Sequence, residues 1–324
     1  MWGNRIISYR KEQCMLTLQR SKFQAKRDPS VDVLLLYETQ GVTKRDQFVL
    51  FCLKNIYPVA RAARMLILGN KKGDFSFKGF FRRSVKILRL DNLLFKVNVP
   101  KYGYQAYCRT KDNFNDFAIM TGHEHDLLEW FAPKNGDIVV DVGAHIGLYS
   151  IISSKCVGPK GKVVAIEADP NNFEMLSRNL GLNNLTNVKA LNCIAYCIEA
   201  QMALADYDTI LSGKIQKYPS TEKTVDVQVN TLDNLLQRNG IKQVNWIKID
   251  VEGAELDVLK GAHNTLSNSK DISILIEIHG ISHLYKPIME LLRSYNFKIE
   301  HEKSFNYQRQ NMRGAKNVLL RKSI

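Results

Sequence analysis

Gly136-Asp137-Ile138-Val139-Val140-Asp141-Val142-Gly143-Ala144-His145-Ile146-Gly147, followed by Val163-Val164-Ala165-Ile166-Glu167, is the stretch that decides how this chain folds. The apolar run from Ile138 to Val142 breaks at Gly143 and Gly147. Leu148, Ile151 and Ile152 then recur at helical spacing, so the segment reads as strand, tight turn and helix. The second apolar run stops on an acid, Glu167, 20 residues beyond Gly147. This is the layout of a mononucleotide-binding unit. Its glycines let backbone approach a ligand closely, and its acid can accept hydrogen bonds from the two ribose hydroxyls of an adenosine group.

Downstream the pattern alternates. Asp169 is placed to cap a helix that starts at Pro170, carries Phe173, Leu176 and Leu180 on one face and stops at Gly181. Strands are expected at 188–192, 202–205 and 225–229, and Thr231 caps a helix marked by Leu232, Leu235 and Leu236 that closes at Gly240. Trp246-Ile247-Lys248-Ile249 is the next core strand, with a helix after it ending at Gly261, a strand over 273–278, a helix over 284–294, and strands at 297–299 and 318–320. Strands alternating with helices at this spacing predict an α/β fold, a mostly parallel sheet with helices on both faces. The last two strands, joined without a helix, predict an antiparallel pair at one edge.

Upstream the chain changes character. Residues 1–110 carry 22 Lys and Arg against 7 Asp and Glu, while residues 111–324 carry 24 against 25, so the net charge of +14 belongs to the N-terminal third. Residues 1–100 read as a basic, partly helical extension and 101–324 as the main domain. Such an extension suits an anionic membrane surface, and a solvated basic segment without a specific partner explains the charge equally well. Nucleic acid is not an expected partner. The stretch from Phe48 to Leu68 is apolar at helical spacing but interrupted by Lys54, Pro58, Arg61 and Arg64, and a helix docked on the main domain is favoured over one lying on a membrane. Residues 84–99 read as strands ending in a turn at Pro100 and Gly103, and 116–131 as a helix leading into the central unit. No run of about 18 apolar residues is present, nor a secretory leader, and the six scattered cysteines form no Cys-x-x-Cys pair. A cytoplasmic protein, peripheral at most to the inner membrane surface, is expected.

Ligands of such sheets bind beyond the carboxyl ends of the strands, where strand order reverses. The polar residues there are Asp141 with the 143–147 loop, Glu167, Asn192, Asp250 with Glu252, and Glu277 with His279. The members of the last two pairs are two apart, so in an extended chain they face the same way. The runs Asp141-Val-Gly-Ala-His-Ile-Gly147 and Ile166-Glu-Ala-Asp-Pro170 are followed in order by Asn179, Thr231-Leu-Asp233, Lys248-Ile-Asp-Val-Glu-Gly-Ala-Glu255, Leu259-Lys-Gly-Ala262 and Ile276-Glu-Ile-His279. Together they resemble the FkbM family of S-adenosylmethionine-dependent methyltransferases across about residues 101–324. Ala168 departs from the family, where proline commonly follows the acid.

The resemblance implies a class I methyltransferase (Rossmann-like) seven-stranded sheet and methyl transfer from S-adenosylmethionine, commonly to a hydroxyl of a sugar, glycan, glycolipid or other polyhydroxylated metabolite. By that resemblance Glu167 holds the ribose hydroxyls. Asp141, Gly143, Ala144 and the loop to Gly147 contact the methionine part and the adenosine sugar, and Asn192 or its neighbours approach the adenine. Methyl transfer from a sulfonium is an in-line displacement helped by a base that takes the hydroxyl proton. Asp250 is the first candidate base, His279 the second, and Glu252 the third, the last explained as well by acids stabilising a helix start. An Asp250, Glu277, His279 cluster suits a divalent ion, but the reading does not call for a metal. His123 and His125 read as surface residues opening a helix, Cys193 and Cys197 as packed thiols, and Arg109 with Asp116 as a weak upstream signature near the acceptor. Two other readings stay open. An NAD-linked oxidoreductase is disfavoured because no Tyr-x-x-x-Lys arrangement stands out and the block after Asp250 has no place in it. A non-catalytic nucleotide-binding module tethered through residues 1–110 is disfavoured by the intact Glu167 and Asp250. The acceptor pocket falls to the least patterned segments, the N-terminal third and the loop over 211–224, and sequence leaves the acceptor and the oligomeric state open.

Overall fold

A computed structural model describes residues 94–109, 116, 119–120, 125–205, 224–305 and 315–322. The chain divides into two compact units, with the boundary between His123 and Glu124. In the first, β1 (Leu94–Val99) and β2 (Tyr104–Arg109) form an antiparallel hairpin across a 3-10 turn at Pro100–Tyr102. Gly103 follows with a positive φ of 65°. The turn falls where Pro100 and Gly103 predict it, whereas β2 lacks a strong sequence signal. The readings made for residues 1–93, including the Phe48 to Leu68 segment, and for 206–223 lie outside the described residues.

The second unit holds α1 (His125–Leu128), β3 (Ile138–Val142), α2 (Leu148–Val157), β4 (Lys162–Glu167), α3 (Pro170–Leu182) and β5 (Val188–Asn192). Next come β6 (Ile194–Tyr196), β7 (Ala200–Ala205), β8 (Thr224–Thr231), α4 (Leu232–Arg238), β9 (Trp246–Ile249), α5 (Glu255–Lys260) and α6 (His263–Asn268). It closes with β10 (Ile272–Ile278), α7 (Ile281–Ser294), β11 (Lys298–Phe305) and β12 (Ala315–Lys322). Seven strands make one sheet in the order β11-β12-β10-β9-β3-β4-β5, parallel except for β12, which runs antiparallel to both neighbours. This is the class I methyltransferase order, and the antiparallel pair lies at one edge.

From β3 the chain winds one way to β4 and β5 and the other way to β9 and β10. Right-handed crossovers therefore put helices on opposite faces. Burial agrees: every residue of β9 and β10 is buried, as it must be for strands covered on both sides. The order reverses between β3 and β9, which is where an open α/β sheet leaves a crevice for a ligand.

Several details depart from the sequence reading. The strands expected over 202–205 and 225–229 exist as β7 and β8, but they build a separate three-stranded sheet with β6, in the order β6-β8-β7. Gly181 does not end its helix. The helix runs on to Leu182, and the left-handed residue beyond it is Asn184, φ 53°, a conformation asparagine tolerates. The helix read over 116–131 stops short of Phe131: α1 ends at Leu128, and the amides of Trp130 and Phe131 both turn back onto the Leu127 carbonyl, while 117–118 and 121–124 lie outside the described residues. The predicted caps hold, with Asp169 accepting from the Asn172 amide at 2.8 Å and Thr231 from the Asn234 amide at 3.2 Å.

Candidate active site

The turn after β3 is built to come close to its neighbours. Gly143 has φ 79°, and a Cβ placed on it would lie 1.8 Å from the Asp250 carbonyl oxygen. No side chain fits there, so the loop and the end of β9 touch backbone to backbone. The amides of Gly143 and Ala144 donate to the Ile166 carbonyl at 3.0 and 2.9 Å, which lays the loop over the end of β4. Gly147, φ 101°, starts α2, and a Cβ there would meet Leu176 of α3 at 2.8 Å. From α3 the fully buried Asn179 donates Nδ2 to the Ile146 carbonyl at 2.9 Å, so two elements clamp the loop.

Glu167 stands at the tip of β4. Its Oε2 accepts from the His145 amide at 2.7 Å and its Oε1 from the Asp169 amide at 2.9 Å. His145 takes a left-handed φ of 50°, which lets its amide enter that bond. Burial pushes the Glu167 carboxyl up to about 7, against the pull of the two amides. Beside it at the end of β5, Asn192 donates Nδ2 to the Glu167 and Ala168 carbonyls at 2.8 and 3.1 Å and so fixes the chain after the acid.

On the other side of β3 lies a connected set of charges. Asp141 is buried. Its Oδ2 accepts from Ser150 Oγ at 2.6 Å, and its Oδ1 has no partner. Burial raises its pKa, with Lys248 acting the other way. Asp141 pairs in register with Lys248 on β9, whose ammonium bonds Asp250 Oδ2 at 2.9 Å and sits 4.8 Å from the centre of the Tyr149 ring. Burial disfavours an ionised Asp250, but Lys248 and then His279 outweigh it and hold this carboxyl below its ordinary range.

Four carboxylates converge on one imidazole. His279 Nε2 lies 3.3 Å from Glu252 Oε2, 3.6 Å from Glu277 Oε1 and 4.0 Å from Asp250 Oδ1, while Nδ1 lies 2.9 Å from Glu255 Oε1. Burial lowers the His279 pKa, but Glu255 first and then Asp250 and Glu252 raise it to about 9. Burial raises Glu252. Glu252 arrives by a route the sequence does not suggest: it is not extended after Asp250 but left-handed, φ 53°, in the turn before α5. Glu255 begins α5, and it is fully buried and bonds the Gly253 amide at 2.9 Å as well as His279.

Asp141, the 143–147 loop, Asp250, Glu252, Glu277 and His279 are thus brought around the β3/β9 boundary, with Glu167 and Asn192 at the adjoining strand ends. Arg109 and Asp116 are brought together in the other unit as a forked ion pair, 2.8 Å from Nε to Oδ2 and 3.0 Å from Nη2 to Oδ1. His125 opens α1, and His123 lies outside the described residues. Cys193 is buried and its thiol is pushed up to about 11 by burial; among the described residues no disulfide forms. Lys248 and Glu255 are the site residues that sequence reasoning left without a role. Lys248 was findable, since it lies two residues before Asp250 on a strand and shares its face.

The topology and site define a class I methyltransferase fold. Residues 141–299 match the family model described as the methyltransferase FkbM domain. It is 29% identical to methyltransferase sdnD of Sordaria araneosa, over 51% of this chain and 74% of that one. It is likewise 29% identical to the hexuronic acid methyltransferase AglP of Haloferax volcanii, over 45% and 57%. With the 31-O-demethyl-FK506 methyltransferase FkbM of Streptomyces tacrolimicus the identity is 23%, over 51% and 74%. No helix among the described residues is long and apolar enough to cross a membrane.

Proposed function

We propose that this chain transfers a methyl group from S-adenosylmethionine to a hydroxyl oxygen of a sugar or another polyhydroxylated acceptor. The observation that carries the reading is the meeting of two half-sites at the β3/β9 boundary. One is a glycine loop beside an acid-terminated β4, and the other is an ionised Asp250 one strand away. The residues present suit the cofactor. Each Glu167 oxygen is fixed by one backbone amide and keeps a lone pair for a ribose hydroxyl, and Gly143 holds the loop against the end of β9 beside the Asp250 carbonyl. Asn192 stands one strand further on, where an adenine would lie. S-adenosylmethionine supplies a methyl carbon activated by sulfonium. The protein's part is to hold an acceptor oxygen in line with it and to receive the hydroxyl proton.

Asp250 is the residue for that proton, because Lys248 and His279 keep it ionised and it lies at the crevice. His279, itself charged at neutral pH, is better suited to holding the carboxylates in place than to accepting a proton. The family resemblance and the named hexuronic acid relative support a sugar acceptor. We assign residues 1–100 to peripheral contact with an anionic surface on their excess of Lys and Arg. Failure of the chain to sediment with phosphatidylglycerol vesicles would remove that assignment. The main reading is tested by calorimetric titration of the full chain with S-adenosylhomocysteine and, separately, with NADH. Saturable binding of the homocysteine compound supports it, and binding of NADH alone refutes it.

A further inference from the structure

We propose that Asp250, Glu252 and His279 form a binding site for a divalent first-row cation, with Glu255 as the carboxylate that aims the imidazole. The role assigned to the cation rests on the methyl-transfer reading, but the binding itself does not. One oxygen from each acid and one ring nitrogen of His279 all lie within 4.8 Å of one another. Donors bonded to a shared ion at about 2.1 Å lie about 3.0 Å apart when adjacent and about 4.2 Å when opposite. The observed Nε2 separations, 3.3 Å to Glu252 and 4.0 Å to Asp250, fall in that interval.

Independent of this spacing, charge around the trio is poorly compensated. Glu255 is fully buried and its Oε2 has no partner, and on the far side of β9 the buried Asp141 Oδ1 has none either. An unsatisfied buried carboxylate oxygen is costly, and a nearby dication is the kind of charge that offsets it. Lys248 answers Asp250 through Oδ2, leaving Oδ1 on the His279 side. The Glu255 contact on Nδ1 is the carboxylate–histidine arrangement that stands behind a metal-bound imidazole, fixing the ring with Nε2 toward the ion. Two carboxylate oxygens and one imidazole nitrogen favour an ion in the range from Mn²⁺ to Zn²⁺ over the all-oxygen preference of Ca²⁺ and Mg²⁺.

Three protein donors leave open positions on such an ion, and adjacent oxygens of a polyhydroxylated acceptor can occupy two of them. A coordinated hydroxyl is acidified. Its proton passes to a carboxylate outside the trio, for which Glu277, with Oε1 3.6 Å from Nε2, is placed. The bond from acceptor oxygen to methyl carbon then forms as the carbon–sulfur bond breaks, its electron pair staying on sulfur. With the ion bound, Asp250 orients the acceptor through it, and Glu277 takes the proton that Asp250 would receive in the metal-free site.

The test uses the full chain freed of metal, with no cofactor or acceptor, titrated with Mn²⁺ and followed by loss of the free-ion electron paramagnetic resonance signal. One equivalent is expected to bind, with affinity reduced at least about tenfold in Glu252→Gln and His279→Gln. Glu255→Leu should lose about 10–100-fold, while Glu255→Gln, which keeps an acceptor for Nδ1–H, should lose much less. Binding of S-adenosylhomocysteine to each variant shows that it is folded. No Mn²⁺ uptake by the wild-type chain, or uptake unchanged in Glu252→Gln and His279→Gln, overturns the proposal. Retained S-adenosylhomocysteine binding in that case leaves the methyl-transfer reading standing.

Discussion

Cofactor affinity should depend on pH through Glu167. Burial raises this carboxyl from an ordinary 4.5 to about 7, and the ribose hydroxyls need it ionised to accept from them. With a pKa near 7, about one molecule in ten is ionised at pH 6 and about nine in ten at pH 8, so the dissociation constant for S-adenosylhomocysteine should fall about tenfold between them, roughly 1.4 kcal/mol. The ligand's own carboxylate and amine change little over that range. Glu167→Gln should bind weakly with no such slope. The same shift has an opposite signature in the unliganded protein, where the folded state holds the proton more tightly than the unfolded chain. The stability this gives is complete below about 4.5 and is lost as pH rises through about 7, some 3 kcal/mol in all. Calorimetric titration at the two pH values gives the first quantity, and denaturant melts of wild type against Glu167→Gln give the second. A wild-type affinity that does not change with pH, or the same slope in both proteins, would refute the ribose assignment.

Gly143→Ala should destabilise the chain by about 3 kcal/mol or more, since both the left-handed φ and the 1.8 Å approach to the Asp250 carbonyl forbid a Cβ; an unchanged melting midpoint would show that the loop does not pack this way. Asp250→Asn should abolish methyl transfer while largely sparing S-adenosylhomocysteine affinity, and near-normal turnover would remove Asp250 from the chemistry, as base or as ion ligand. Asn179→Ala should cost about 1–3 kcal/mol by leaving the buried Ile146 carbonyl without its donor, and should weaken cofactor binding as the loop loosens; a melting midpoint and affinity both unchanged would sink that account. Asp233→Ala should lower stability by about 1–2 kcal/mol with turnover intact, because its carboxylate caps α6 through the Asn264 and Thr265 amides at 2.7 and 2.8 Å; a selective loss of turnover would contradict a purely structural role.

The parts of the fold legible in the sequence are those set by local rules. The β3 and β4 runs, the Asp169 and Thr231 caps and the sheet itself follow from apolar periodicity and short-range capping, which leave marks within a few residues. What was not legible depends on tertiary partners. Gly181 reads as a stop, but α3 continues past it because the left-handed turn is taken by Asn184. The strands β7 and β8 carry strand patterns with nothing to say which sheet they join. At the site, Asp141, Glu167 and Asp250 could be placed because strand ends can be counted. Glu252 could be singled out but its route could not, because its approach to His279 depends on a left-handed backbone at a residue that is not glycine.

The spacing of Lys248-Ile-Asp-Val-Glu-Gly-Ala-Glu255 follows from this geometry. Lys248 and Asp250 are two apart on extended chain, so they share a face and the ammonium meets the carboxylate. Two residues further the chain must reverse into α5, and Glu252 and Gly253, both at positive φ, make that reversal and turn the Glu252 carboxylate back to His279. Gly253 also donates its amide to Glu255, which fixes that side chain as α5 begins and aligns its other contact with Nδ1 of the same histidine. Steps of two, two and three thus put a strand pair, a turn acid and a helix-start acid around one imidazole. A residue inserted between Asp250 and Glu255 would move the helix-start acid off His279 while leaving β9 unchanged. Such an insertion should therefore lose the histidine's raised pKa, visible as a downward shift of its imidazole titration by nuclear magnetic resonance, before it loses the fold.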